Sequence, residues 1–498
     1  MSNRIVPLLT RESVAAAAVH AVAPYPTSAS CHSYESFPVE NVASLCSDAQ
    51  AGFNKWKAMP LKERAFIFTA FGRILDARKD ELISSMVDVG IAPAFAKFNV
   101  FGSISQIEHY TSIVNDLASS EIDNFANEYS LFTDKGIKVI NNCQVEYLNN
   151  NALVLREPIG PVLSISPWNA PLILSTRALM APLSAGCSVI LKGSNLSPEI
   201  SYQLTRAFHE AGGEKDLVQC IHTCDNDSKR VVDEILHSGV IKGINFTGST
   251  KTGLEIKKSA AEAPDVKGVW ELGGKNCTIF DESITNNSKE ELQRAIKETL
   301  VSAFFNTGQV CMCTDIVYVP QHLLSLFKTL FTTAVTDMST EEANALGFNA
   351  PLRTMANRHN LSAVLSDAVE SHNAEVVYGD ITKSGPVILA NVGAEAKILR
   401  EECFAPVLCI QGYRSLSEVS GLVDQAGYGL KLSIRGVYTP QKAVEISRHF
   451  RSGSVHCNEM SVFDVPALPH GGMGLSGAGR FNSWWGIREW QYEKLVTF

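Results

Sequence analysis

Cys311 closes the run Phe304-Phe305-Asn306-Thr307-Gly308-Gln309-Val310-Cys311, and Glu271 opens Glu271-Leu272-Gly273-Gly274-Lys275-Asn276 forty positions earlier. A thiolate can bond to an electrophilic carbon, and a carboxylate can then activate the water that removes the adduct. A free thiol titrates at about 8.5, so the nucleophile needs a partner that draws off its proton. Asn306, Gly308 and Gln309 suit a turn that would expose the Cys311 side chain. Cys313 is its near rival, because Cys-x-Cys also reads as a redox pair or half a metal site, although no further ligands follow. On spacing alone, Glu271 reads sooner as a surface residue before a turn than as a base. Gly273 and Gly274 are what would let backbone bend close to a reacting centre.

Asn169, in Ser166-Pro167-Trp168-Asn169-Ala170-Pro171, falls between an expected strand and an expected helix. Its amide could donate to a developing oxyanion beside the Cys311 backbone N–H, or it could cap the helix. Phe246-Thr247-Gly248-Ser249-Thr250 also joins strand to helix, where free N–H groups can hold a pyrophosphate. Lys192 ends another strand, at the edge where ligands of parallel sheets bind. Gly472-Met473-Gly474-Leu475-Ser476-Gly477 has dinucleotide-loop spacing, but it follows Pro469-His470 and no strand, so it reads as a plain glycine-rich loop.

The elements that must position these groups are α/β in pattern. Residues 38–90 read as amphipathic helices. Val162–Ile165, Val189–Leu191, Val218–Ile221 and Ile244–Phe246 read as buried parallel strands alternating with helices, which makes a doubly wound sheet. A second α/β region runs from Glu271 to about residue 480, and residues 134–152 with the last strand read as an exposed arm. At 498 residues, two or three domains are expected. A net charge of −9 offers no basic patch for nucleic acid, and no apolar run reaches the roughly 18 residues of a membrane span. Twelve scattered cysteines, none in a CxxC pair, point to a reduced cytoplasmic chain with no metal site. Met1–Pro24 lacks a clean apolar core or cleavage site, and Glu12 argues against a transit peptide.

Six segments agree in order: Pro167-Trp168-Asn169, Phe246–Thr250, Glu271–Asn276, Phe305–Cys311, Glu401–Pro406 and Ser476–Arg480. Together they resemble the aldehyde dehydrogenase superfamily over residues 38–498. The resemblance implies a Rossmann-like NAD(P)-binding domain (1–133 and 153–270), an α/β catalytic domain (271–480) and a β-strand oligomerisation arm (134–152 and 481–498) of a homodimer or homotetramer. It implies that Cys311 attacks an aldehyde carbonyl while Asn169 and the Cys311 N–H hold the oxyanion. A hydride then passes to the nicotinamide, and Glu271 activates the water that splits the thioester. Along NAD or NADP it sets Ile165, Trp168, Lys192, Asn195, Gly248, Ser249, Leu272, Glu402 and Phe404. Around the substrate it sets Ala170, Arg177, Val310 and Met312.

The run Trp168–Arg177, with Pro469-His470-Gly471-Gly472 and Gly479-Arg480-Phe481-Asn482, looks like the salicylaldehyde/vanillin branch and its fungal members. An aromatic or polyketide-like aldehyde is therefore expected. Ala170 leaves room for a ring. Arg177, about two helical turns past Asn169, would reach a substrate oxygen or else sit in a structural salt bridge. Asn195 stands where many NAD-preferring members carry Glu, so a relaxed choice between NAD and NADP is expected. Ala405, Gly474, Cys277 and Ile316 also depart from the family pattern, and Ser283–Glu290 reads as an added surface loop. The competing readings are a cysteine-dependent esterase or thioesterase, and a catalytically weak homologue.

Overall fold

Apolar residues recurring at helical spacing form α1 (Val42–Ala58), α2 (Leu61–Ala77), α3 (Lys79–Asp88) and α4 (Pro93–Ser119). Pro60 precedes α2 and Pro93 starts α4, both suited to a first turn that needs no N–H. The computed structural model describes residues 4–5, 8, 19–21, 33–120, 137–140, 142–149 and 152–497. Most of the 1–24 segment read for a targeting signal lies outside these residues, as do 134–136, 141, 150–151 and Phe498 of the expected arm. Three short strands, β1 (Arg4–Ile5), β2 (Val19–Ala21) and β3 (Ser33–Glu35), pair in the order β1-β3-β2.

The arm is a four-stranded antiparallel sheet. Its strands are β4 (Ile137–Ile140), β5 (Cys143–Asn149), β6 (Ala152–Pro158) and β20 (Gln491–Thr497), in the order β20-β6-β5-β4. It takes in residues 153–158, which the sequence reading gave to the cofactor domain. The helix Ser483–Glu489, which leads into β20, also packs on the helix Pro171–Ala185 and on α4.

The four strands expected from sequence are β7 (Val162–Ile165), β8 (Val189–Lys192), β9 (Val218–Ile221) and β10 (Gly243–Thr247), joined by β11 (Lys267–Glu271). All five run parallel in the order β11-β10-β7-β8-β9. Their unbroken apolar runs fit strands covered on both faces. Between them run α5 (Pro171–Ala185), α6 (Pro198–Glu210), α7 (Asp225–Leu236) and α8 (Thr250–Glu262). Every residue of α5 is buried, as expected of a helix apolar on all sides.

The second sheet holds β12 (Asn276–Phe280), β13 (Thr314–Pro320), β14 (Glu375–Tyr378), β15 (Val387–Ala390), β16 (Val407–Tyr413), β17 (Lys431–Arg435) and β18 (Ser454–Cys457). Its order is β14-β15-β16-β13-β12-β17-β18, antiparallel only at β14. The two sheets share chain at one seam: β11 ends at Glu271, β12 starts five residues on, and β19 (Gly477–Ala478) returns to pair antiparallel with β11. The glycine-rich loop before β19 is therefore an edge contact of β11 and does not begin a helix of a nucleotide fold. The added segment at 283–290 is a short 3₁₀ turn whose Ser288 caps α9 (Lys289–Phe304).

Candidate active site

Three successive residues before the nucleophile turn left-handed: Asn306 (φ 52°), Thr307 (φ 60°) and Gly308 (φ 68°). Such a conformation is costly for a β-branched residue and persists only where neighbours over-determine it. Here they do. The Ala92 N–H donates to Asn306 Oδ1 at 3.0 Å, Thr307 Oγ1 donates to the Gly347 carbonyl at 2.7 Å, and the Arg353 N–H donates to Gln309 Oε1 at 3.0 Å. A Cβ on Gly308 would sit 2.3 Å from the Ala405 carbonyl oxygen, so no larger residue fits. From the far side, Asn276 Nδ2 donates to the carbonyls of Cys311 and Cys313, each at 2.8 Å. Asn276 stood in the sequence motif without a role; its job is to clamp this loop.

Cys311 lines a cavity of about 170 Å³, whereas Cys313 is buried in the core with its thiol pushed up by desolvation. The cavity brings together Trp168, Asn169, Gly248, Ser249, Leu272, Glu402 and Phe404, all expected from sequence, and adds Leu174 and Asn357. Ile165, Lys192 and Asn195 lie outside its lining, as do Ala170, Arg177, Val310 and Met312, which are buried in protein. A larger hollow of about 600 Å³ between α2 and α4 holds no nucleophile and lies away from both sheet ends.

Asn169 is buried and does not cap α5, whose N-cap is Ala170. Its Nδ2 donates to the Gln309 carbonyl at 2.9 Å, which fixes the amide beside the cysteine turn. Trp168 meets Phe404 edge to face at 6.1 Å. Glu402 Oε1 accepts the Gly274 N–H at 3.0 Å, and burial raises its carboxyl to about 7. Ser249 caps α8 by accepting the Thr252 N–H.

Glu271 is 1% exposed and uses both oxygens. Oε1 lies 3.3 Å from Cys311 Sγ and 2.9 Å from His470 Nε2. Oε2 accepts from Arg177 Nη1 at 3.1 Å and faces Thr247 Oγ1 at 3.5 Å. Burial by itself would raise this carboxyl, but the facing His470 and Arg177 outweigh it and bring it to about 2. The Cys311 thiol moves the other way: burial first, then the Glu271 charge, push it well above its ordinary value. The resting pair is thus a thiol donating to a carboxylate.

Of the two roles the sequence leaves open for Arg177, a substrate contact or a structural salt bridge, the structure shows the salt bridge: its guanidinium pairs through Nη1 with Glu271 and through Nη2 with Asp464. An all-buried helix carries it where no water could compensate the charge, so carboxylates must. Asp464 also accepts from Asn482 Nδ2 at 2.9 Å and lies 3.5 Å from His470 Nδ1. Its carboxyl is held low, since Arg177 and His470 outweigh the burial that would raise it. Sequence reasoning missed Asp464 and gave His470 no role. The available signal was an acid inside the apolar run Val462-Phe463-Asp464-Val465.

At the outer end of the crevice, Asn195 Nδ2 donates to Asp225 Oδ1 at 2.7 Å. Burial lowers the neighbouring Lys192 to about 8, with Asp225 opposing the shift. Among the described residues, no cluster of His, Cys, Asp or Glu could hold a metal ion, and no helix is long and apolar enough to cross a membrane.

Two mainly parallel sheets meeting over one strained cysteine turn and one buried carboxylate define an α/β enzyme. The aldehyde dehydrogenase family model matches residues 11–496, and the chain belongs to that family. It is an oxidoreductase acting on aldehydes. The chain is 26% identical to a salicylaldehyde dehydrogenase of Pseudomonas putida, covering 92% of this chain and 90% of the relative. It is 28% identical to a vanillin dehydrogenase of Pseudomonas sp. strain HR199, covering 89% and 87%. Its fold superposes on an aldehyde dehydrogenase of Mycobacterium tuberculosis complexed with NAD⁺ with a TM-score of 0.85, at 22% identity over 100% of this chain and 99% of that one.

Proposed function

We propose that this enzyme oxidises an aromatic or polyketide-like aldehyde to the acid through a thioester on Cys311, with NAD as the preferred cofactor. One observation carries the reading: Cys311 Sγ lies 3.3 Å from Glu271 Oε1, in a cavity shared with Trp168, Ser249, Glu402 and Phe404. Glu271 takes the thiol proton. The Asn169 amide and the Cys311 N–H then stabilise the oxyanion that forms when sulfur adds to the carbonyl, an effect worth about 10²–10³ in rate per donor. Glu271 finally orients the water that releases the acid.

The nicotinamide cofactor, when bound, supplies the hydride acceptor. The residues present fit such a group. A Cβ on Gly273 would collide with Glu402 Oε2 at 2.3 Å, so the backbone there stays bare, and Glu402, anchored through Oε1 by the Gly274 N–H, would hold a ribose hydroxyl. Trp168 and Ser249 would flank the pyrophosphate at the start of α8, with Gly248, Leu272, Ile165 and Phe404 as apolar walls. Lys192 and the Asn195–Asp225 pair would meet the adenosine ribose. Asp225 is what turns the expectation of relaxed choice towards NAD. The carboxylate missing at Asn195 is held 2.7 Å away by Asn195 itself, where it would repel a 2′-phosphate.

The aromatic substrate is supported by the salicylaldehyde and vanillin dehydrogenases among the relatives and by small Ala170 beside the cysteine turn. Val310 and Met312 flank Cys311 and would bound the substrate from that side. The four-stranded arm, with Leu495 62% exposed, supports a homo-oligomer. Steady-state assays with salicylaldehyde, vanillin, benzaldehyde and short aliphatic aldehydes, each with NAD and NADP, test the reading. Reduced cofactor with the aromatic panel is the expected result. Ester hydrolysis without cofactor reduction would sink it in favour of an esterase.

A further inference from the structure

His470 is fully buried, and its loop is tied down. It exchanges backbone hydrogen bonds with Phe481 at 3.1 and 2.7 Å, and the two rings meet edge to face at 6.2 Å. Nε2 lies 2.9 Å from Glu271 Oε1, and an ionised carboxylate only accepts, so this nitrogen carries a hydrogen and donates it. Such a carboxylate takes about four hydrogen bonds. Glu271 has four donors within 3.5 Å: the Cys311 thiol and His470 on Oε1, and Arg177 and Thr247 on Oε2. The resting base is therefore filled.

Acylation changes that count at one place. When a C–S bond has replaced the S–H bond, and the thiol proton has left Glu271, one acceptor site opens on Oε1 and faces the sulfur. A water donating there lies against the thioester carbon. Its O–H bond breaks as an O–H bond forms on Oε1, the carbon gains a bond to oxygen and loses that to sulfur, and no electrons change hands. Among the described residues, His470 is then the one donor left on Oε1. Arg177 holds Oε2, but a carboxylate held by one oxygen can still turn about it. We propose that His470 is the positioning residue of deacylation, holding Glu271 Oε1 towards the thioester once Cys311 has given up its hydrogen. In the resting enzyme the thiol shares that duty, so the imidazole matters to the second half of the cycle and little to the first.

The inference rests on Cys311 as nucleophile and Glu271 as base. The amide nitrogen of His470→Gln falls where Nε2 stood, whereas that of His470→Asn stops at the place of Nδ1, short of Oε1. Stopped-flow cofactor reduction separates the first turnover from later ones, with NAD and whichever of salicylaldehyde, vanillin or benzaldehyde is oxidised fastest. In His470→Asn, kcat should fall about 10- to 100-fold, as for a group misplaced by about 1 Å, while the first-turnover rate stays within about 3-fold. Intact mass spectrometry of acid-quenched samples should then find most molecules acylated on Cys311. His470→Gln should recover most of kcat. An unchanged or raised kcat in His470→Asn would overturn the proposal. Against burial, His470 and Arg177 hold the Glu271 carboxyl at about 2, so a base limited by its strength would speed up when the imidazole is lost. First-turnover and steady-state rates falling in step would overturn it as well. Should the variants not fold, crystals of wild-type enzyme alkylated on Cys311 with iodoacetamide carry the test, because alkylation removes the same hydrogen. Oε1 still within hydrogen-bond distance of His470 Nε2 supports the proposal, and a carboxylate turned away overturns it. A wild-type enzyme that reduces no cofactor and gains no acyl group on Cys311 would remove the functional reading, and the proposal with it. Acylation in the wild type with no change in His470→Asn would remove only the role of His470.

Discussion

The two ends of the ligand crevice are built on opposite principles. Around Cys311, two carboxylates, a guanidinium and an imidazole are closed off from water, and each ionised group has its counter-ion at hydrogen-bond distance. Around Asn195, the charge that bears on cofactor choice rests on one side-chain hydrogen bond, with Asp225 exposed to solvent. In a buried network, removing one partner strands the other charge and costs about 3–5 kcal/mol. At an exposed pair, screening leaves about 0–1 kcal/mol. The inner end should therefore resist substitution until it fails outright, and the outer end should tune by degrees.

The sharpest break is at the nucleophile. Cys311→Ala should lower kcat by about 10⁴-fold or more while the cofactor still binds, as measured by steady-state kinetics and by quenching of protein fluorescence on titration with NAD. Arg177→Leu comes next. It strips the guanidinium from both Glu271 and Asp464 and should destabilise the fold by about 3–5 kcal/mol in urea unfolding. It also separates two roles for the same residue. A structural pair predicts equal effects on KM for salicylaldehyde and benzaldehyde. A selective loss for the hydroxylated ring would return Arg177 to the substrate.

The asymmetry between the two ends explains what could be read from sequence. The strands at 162–165, 189–192, 218–221 and 243–247 announce themselves as short apolar runs between helices, because burial on both faces leaves no alternation to interpret. Cys311 and Glu271 sit in glycine-rich turns whose composition is visible locally. Asp464 and His470 meet their partners across 287 and 199 positions, and no period or spacing encodes such a contact. Only charge bookkeeping could have linked them. An arginine inside the apolar helix Leu172–Met180 and an aspartate inside an apolar loop each need a buried counter-ion, and each is the other's. The structural salt bridge that the sequence left open for Arg177 follows from the same bookkeeping. The expected arm missed residues 153–158 because β6 continues straight from the β5 hairpin, with no change of composition to mark the border.

A third consequence concerns acid. Glu271 titrates at about 2 when folded and at about 4.3 in an unfolded chain. Its folded value is the lower one, so its contribution to stability is complete above about 4.3 and is lost as pH falls towards 2. The amount is up to about 3 kcal/mol. Asp464, also held low, adds in the same direction. The melting temperature should thus drop between pH 5 and 3 more steeply in the wild type than in Glu271→Gln, which has no such carboxylate to protonate. Parallel curves would mean that the inner network contributes no pH-dependent stability.

The smallest expected effect belongs to the outer end and tests the other half of the comparison. Asp225→Ser removes the carboxylate that Asn195 holds, and Asn195 keeps a hydroxyl as a partner within reach. The substitution lies on an exposed first turn of α7, so the fold should not register it beyond a few tenths of a kcal/mol. The ratio of kcat/KM for NADP to that for NAD should rise about 5- to 10-fold, mostly through KM for NADP, because an exposed like charge near a phosphate is screened rather than prohibitive. Added salt should shrink the wild-type discrimination and leave that of Asp225→Ser nearly unchanged, since only the former has a charge to screen. A salt-insensitive preference in the wild type would mean that shape, rather than the Asp225 carboxylate, selects the cofactor, and that the outer end too is set by packing.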